Sequence, residues 1–310
     1  MRLAVIDCGT NTFNLLIIEL SQHKHYSKVF NTRIPVKLGE GAINRGFIAD
    51  EPFSRGIDAL KVFKQELRKF EVEKTLAFAT SAIRDASNGN EFVAQVKDEL
   101  DIGITVIDGD REAELIYFGI REAVKLNGDI SLIIDIGGGS TEFILANDST
   151  IFWKQSFTLG AARLLEKFTP SNPITTGEIN SIHSYLKEQL QPLSQALKSF
   201  GTNELVGSSG AFDSLVEMIN GEMGGEPLTD TKTEYDINTA QYFEISGLVR
   251  RSTLEQRRHI KGLVPMRFDM IVISCLIVDF VLKEFNLSRL RISTYSLKEG
   301  ALVDFISKQL

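Results

Sequence analysis

Val5-Ile6-Asp7-Cys8-Gly9-Thr10-Asn11-Thr12-Phe13-Asn14-Leu15 returns later in the chain as Ile133-Ile134-Asp135-Ile136-Gly137-Gly138-Gly139-Ser140-Thr141-Glu142-Phe143. Each copy is an apolar run ending in aspartate, a turn rich in glycine and hydroxyls, and a second apolar run. No helix fits between the runs, so each copy reads as a β-hairpin. Its tip exposes backbone N–H groups and Ser/Thr hydroxyls, a cradle for phosphate oxygens. One such loop alone is equally an ordinary turn, with aspartate as its cap and glycines supplying positive φ. Two matching loops in two related halves argue for one phosphate chain gripped from both sides. Thr10, Asn11, Thr12 and Gly137, Gly138, Gly139, Ser140, Thr141 are then the phosphate-binding set, and Asp7 and Asp135 are placed for a divalent cation. Neither loop is a Walker loop, since no Gly-Lys-Ser/Thr follows. Neither is a dinucleotide fingerprint, whose glycines open a helix rather than a second strand.

The 310 residues suffice for two domains, and 43% hydrophobic with 24% charged residues is an ordinary globular balance. Asp7 interrupts the first apolar run, so no signal peptide is expected. The stretch from Met270 to Leu282 is too short to span a bilayer and carries Asp279. Cys8 and Cys275 form no disulfide framework, and His23-x-His25 lacks a third zinc ligand; a cytoplasmic protein without a membrane partner is expected. The net charge of −7 argues against nucleic-acid binding, while a local basic groove remains compatible with a polyanion. Arg250, Arg251, Arg257, Arg258, His259 and Lys261 form the one dense basic run, readable as a solvated helix face or as a polyanion strip.

Strand-rich segments alternate with helical periodicity, for example Ile57, Leu60, Phe63, Leu67 and Phe70, so the class is α/β. Lys125–Asp129 marks the boundary between an N-terminal domain, 1–125, and a C-terminal domain, 126–310. One long helix is expected over Thr176–Phe200, and a last helix over Leu297–Leu310, with packing back on the first domain one option.

Hydrolysis of a phosphoanhydride needs a carboxylate to orient or deprotonate water and cations to offset phosphoryl charge. Glu112 lies on a helix before the domain junction, and Glu142 begins the return strand of the second hairpin; these are the catalytic candidates. For the acids of Gly109-Asp110-Arg111-Glu112-Ala113-Glu114, helix capping is the bland alternative. Arg84, after Thr80-Ser81-Ala82-Ile83, suits bidentate phosphate recognition. Gly207-Ser208-Ser209-Gly210 is not a hydrolase elbow, because Ala211 stands at its last glycine; backbone approach to a ligand fits better.

Together these segments resemble the exopolyphosphatase/guanosine pentaphosphate phosphohydrolase (Ppx/GppA) family of the actin and sugar-kinase superfamily. The resemblance rests on both Asp–Gly loops, Ala79-Thr80-Ser81-Ala82-Ile83-Arg84-Asp85-Ala86, Gly160-Ala161-Ala162-Arg163-Leu164 and Gly262-Leu263-Val264-Pro265-Met266-Arg267. It implies two ribonuclease-H-like (actin-like ATPase) domains flanking a cleft. Glu112 falls at the family's catalytic glutamate, Asp135 and Glu142 at its other essential acids, and Arg84 at an arginine that contacts the phosphate chain. The implied cofactor is Mg2+, with Mn2+ as an alternative. The implied reaction is release of orthophosphate from the end of inorganic polyphosphate, with guanosine pentaphosphate as the alternative substrate. A small-molecule kinase or a non-catalytic polyphosphate sensor would be rival readings, and a homodimer is admitted. Arg111, Phe268 and Thr294 depart from the family pattern without removing a matched acid.

Overall fold

Strand β1 (Arg2–Cys8) is apolar on both sides because it separates two cores. Ala4, Ile6 and Cys8 face a core confined to the first half, whereas Leu3 and Val5 face a second one. The computed structural model describes residues 1–21 and 25–309. His23 and Leu310, which ends the expected last helix, lie outside the described residues.

β1 pairs antiparallel with β2 (Thr12–Leu20), which pairs antiparallel with β3 (Tyr26–Pro35). On its other side β1 runs parallel to β4 (Lys74–Ala79), and β4 to β5 (Ile104–Val106), giving the order β3-β2-β1-β4-β5. The second half repeats the plan with β6 (Ser131–Ile136), β7 (Thr141–Ala146), β8 (Ile151–Phe157), β9 (Glu204–Ser208), β10 (Glu234–Ile237) and β11 (Arg289–Ser293). Its order is β10-β11-β9-β6-β7-β8, with β6, β9 and β11 parallel and β10 an antiparallel edge. The hairpin repeat is thus a repeat of whole sheets, and the fold is the two-part α/β, ribonuclease-H-like arrangement that the resemblance implies.

In β6 and β7 the same alternation holds. Leu132, Ile134, Phe143 and Leu145 face the core of the second half, while Ile133, Ile144 and Ala146 face the core that also takes Leu3 and Val5. This shared core joins the two sheets and is filled by the helices Gly109–Ala123 and Leu297–Ser307. The two helices approach so closely that a Cβ on Gly300 would lie 1.7 Å from the Leu115 carbonyl oxygen.

Two local expectations change. The helix foreseen over Thr176–Phe200 is two helices, Thr176–Gln189 and Gln191–Ser199, because Pro192 starts the second. The basic run does not form one strip: Arg257 is 5% exposed and donates to the Phe268 and Ser252 carbonyls, and Arg250 pairs with buried Asp279 at 3.4 Å.

Candidate active site

The hairpin register sets the acids. Asp7 lies opposite Asn14 and Asp135 opposite Glu142, each at the strand end beside its loop. Asp7, Thr10, Asn11 and Thr12 from the first hairpin and Asp135, Gly137, Gly138, Gly139 and Ser140 from the second line one cavity of about 150 Å3. Glu112, from the first turn of the helix Gly109–Ala123, closes the same cavity with Thr80.

The glycines of the second loop are needed for contact rather than for positive φ, which none of them has. A Cβ on Gly138 would lie 2.4 Å from Asn11 Nδ2, and one on Gly139 would lie 2.5 Å from Ser81 Oγ and 2.8 Å from Thr10 Oγ1. The two tips therefore meet.

Three expected residues do not line the cavity. The Thr141 hydroxyl donates to the Leu159 carbonyl at 3.0 Å, inside the sheet. Glu142 is 1% exposed and accepts from Ser156 Oγ at 2.7 Å. Arg84 stands behind Glu112, with Nη1 2.7 Å from Glu112 Oε2.

Five carboxylates, those of Asp7, Glu112, Asp135, Glu142 and Asp213, share this region, and burial dominates each. Asp7 is lifted to about 6 by burial, against a hydrogen bond from Asn14 Nδ2 at 2.9 Å. Burial and the Asp135 charge lift Glu142 to about 7. Burial and the Glu142 charge push Glu112 well up, with Arg84 pulling the other way. Asp135 is also raised by burial, although Ser208 and Ser296 both donate to its Oδ2 at 2.5 Å.

Arg33, Arg267 and Lys298 also line the cavity. The sequence assigns them no role: Arg33 lies opposite Asn14 on the strand beside the first hairpin, Arg267 ends a segment that carries the resemblance without a stated role, and Lys298 is far along the chain from both hairpins. Ser209 and Gly210 form another wall, and Ser209 holds φ +81 while its hydroxyl donates to the Ile136 carbonyl. This agrees with backbone approach at Gly207–Gly210. The space beside Gly207 is taken by the Phe212 ring, 2.1 Å from where a Cβ would stand. Among the described residues no group of three His, Cys, Asp or Glu side chains is arranged to hold a metal alone. The donor set still fits Mg2+, which is commonly bound through one or two carboxylates, substrate phosphates and water.

The sequence pattern of the Ppx/GppA phosphatase family matches residues 16–309. A solved exopolyphosphatase from Cytophaga hutchinsonii is 37% identical, with a TM-score of 0.96 over 99% of this chain and 98% of that one. Exopolyphosphatase 1 of Mycobacterium bovis is 26% identical over 98% of this chain and 88% of its own length. The bifunctional 3-dehydroquinate synthase/phosphatase of Fusobacterium nucleatum is 30% identical over 99% of this chain, which spans about half (47%) of that relative.

Proposed function

Because the chain belongs to the Ppx/GppA phosphatase family, we propose that it releases orthophosphate from the end of inorganic polyphosphate. The observation that carries this reading is the single cavity lined by both loops, Glu112 and Asp135. At about 150 Å3 it is smaller than the ~300–1,000 Å3 of typical small-molecule pockets, and suits a terminal phosphoryl group. The rival kinase reading needs an adenosine pocket; in its one sequence candidate, Gly207–Gly210, the space beside Gly207 is taken by Phe212, and Ser209 and Gly210 line the small phosphoryl cavity instead.

In this reading Thr10, Asn11 and Thr12 and the backbone N–H groups of Gly138–Ser140 hold the phosphoryl oxygens, while the Gly137 N–H closes the loop on the Ser140 carbonyl at 3.0 Å. Arg267 and Lys298 offset their charge. Glu112, whose Oε2 is held by Arg84, orients the attacking water and takes its proton, and burial, by raising its pKa, makes it a stronger base. Water attacks the terminal phosphorus, the anhydride P–O bond breaks, and the shortened chain leaves. Glu142 raises the basicity of Glu112 through its charge. Asp135, through the oxygen that the two serine hydroxyls leave free, and Asp7 would hold Mg2+ (or Mn2+), which supplies further charge neutralisation on the phosphates. Both cysteines are buried and unpaired, in keeping with a cytoplasmic protein.

Guanosine pentaphosphate offers the same terminal phosphoanhydride and is the second substrate to test. Phosphate release from polyphosphate, guanosine pentaphosphate and ATP, side by side with Mg2+, checks the proposal. Release from polyphosphate is expected, and silence on both polyphosphate and guanosine pentaphosphate would refute it.

A further inference from the structure

Arg163 lies on the helix Ala161–Phe168 of the second half and makes its bonds in three directions. Its Nε donates to the Gly139 carbonyl at 2.9 Å, its Nη1 to the Ile43 carbonyl at 3.1 Å, and its Nη2 to Asp85 Oδ2 at 3.0 Å. The Arg163 carbonyl accepts from Asn44 Nδ2 at 3.1 Å. One side chain thus ties the second phosphate loop to two segments of the first half. Asp85 passes the link on: its Oδ1 faces Arg84 Nε at 3.3 Å, and Arg84 Nη1 reaches Glu112 Oε2 at 2.7 Å. Arg163, Arg84 and Glu112 are 15%, 19% and 8% exposed, and Asp85, the link between them, is 32% exposed.

We infer that Arg163 is a positioning residue that locks the cleft and, through Asp85, holds the Arg84–Glu112 pair in register with the second phosphate loop. Its base is rigid, because the Ala161, Ala162 and Arg163 amides donate to the Gly137 and Gly138 carbonyls. Gly160 permits this seat: a Cβ there would lie 2.3 Å from the Gly138 backbone. A planar guanidinium serves three acceptors at once, which a lysine ammonium on a flexible stem does not reproduce. Two further charged contacts, Lys37–Asp269 at 3.8 Å and Arg33–Asp213 at 3.7 Å, are longer and use more exposed cations, while Arg111 pairs with Asp304 where the helices Gly109–Ala123 and Leu297–Ser307 cross, away from the phosphate loops.

The catalytic part of this inference rests on the proposed hydrolysis; the lock does not. Arg163→Gln, Asp85→Asn and the double variant are assayed for phosphate release from polyphosphate, and amide exchange is followed over residues 39–46 and 80–86. Each single variant is expected to lose about tenfold or more in kcat with KM changed less than about threefold, as misplacement of catalytic groups does. The double variant should be no worse than the poorer single one beyond about twofold, since both cut one link. Exchange should quicken in both segments. A kcat within about twofold of wild type, or losses that multiply in the double variant, overturns the inference. Should wild type release no phosphate from either substrate, the proposed function falls by itself. The exchange then decides the lock, and unchanged protection in Arg163→Gln overturns it.

Discussion

Within the proposed hydrolysis, Glu112 carries the sharpest role. Its carboxylate faces the cavity, burial raises its pKa, and only Arg84 among its named neighbours opposes that rise. Glu112→Gln is expected to keep phosphate binding and lose about 10²–10⁴-fold in kcat, read by steady-state assay beside equilibrium binding. Arg84→Ala has a different signature. Removing the guanidinium raises the Glu112 pKa further, so the base stays protonated to higher pH. The acid limb of the kcat/KM profile should therefore move to higher pH, and an unmoved limb would leave Arg84 with a purely structural role. At this scale the sequence was informative wherever chemistry is local: Asp7, Thr10, Glu112, Asp135 and Gly137–Ser140 do share a cavity. It was silent on Arg267 and Lys298, which arrive by tertiary folding, and misleading on Arg257, whose charge is used on backbone carbonyls.

Elements were legible in proportion to how local their determinants are. The hairpins could be seen because two short apolar runs flank a glycine-hydroxyl turn that leaves no room for a helix, and the break at Leu190 is written in Pro192. The last helix does pack on the first half, the option the sequence left open, but its crossing with Gly109–Ala123 could not be read in detail, because it pairs glycines 181 positions apart, at Gly119 and Gly300. That crossing makes a clean test. A methyl on Gly300 meets the Leu115 carbonyl at 1.7 Å and one on Gly119 meets the Ser296 carbonyl at 2.2 Å, so the helices must separate. Gly300→Ala should destabilise the protein by about 1–3 kcal/mol, typical of overpacking. Gly177→Ala, on the helix Thr176–Gln189 with nothing within 4 Å of the added carbon, should be neutral or stabilising by up to about 1 kcal/mol. Urea unfolding of the two variants beside wild type distinguishes a packed crossing from a loose one.

At the scale of the whole molecule, two sheets and a shared core bring five acids to the junction of the halves, where burial holds each above its ordinary pKa. The sign of the consequence follows from linkage. Asp7 moves from 3.8 to about 6 and Glu142 from 4.5 to about 7, so the folded state binds more protons than the unfolded chain between those values. The stability these two groups confer is fully present below about pH 4 and is lost as pH rises through 6 and 7, with about 3 kcal/mol at stake in each. A divalent cation held by Asp7 and Asp135, as proposed above, would offset the Asp7 share of that loss, because it would bind the charged carboxylates of the folded state alone. Millimolar Mg2+ should thus leave Tm nearly unchanged at pH 5 and raise it increasingly from pH 6 to 8. Asp135→Asn should flatten the increase, since a neutral amide is the poorer ligand for a hard cation. Calorimetric melts across this pH range, with and without Mg2+, need no substrate. A Tm that ignores Mg2+ at pH 8, or an equal rise in Asp135→Asn, would take the cation away from these two aspartates.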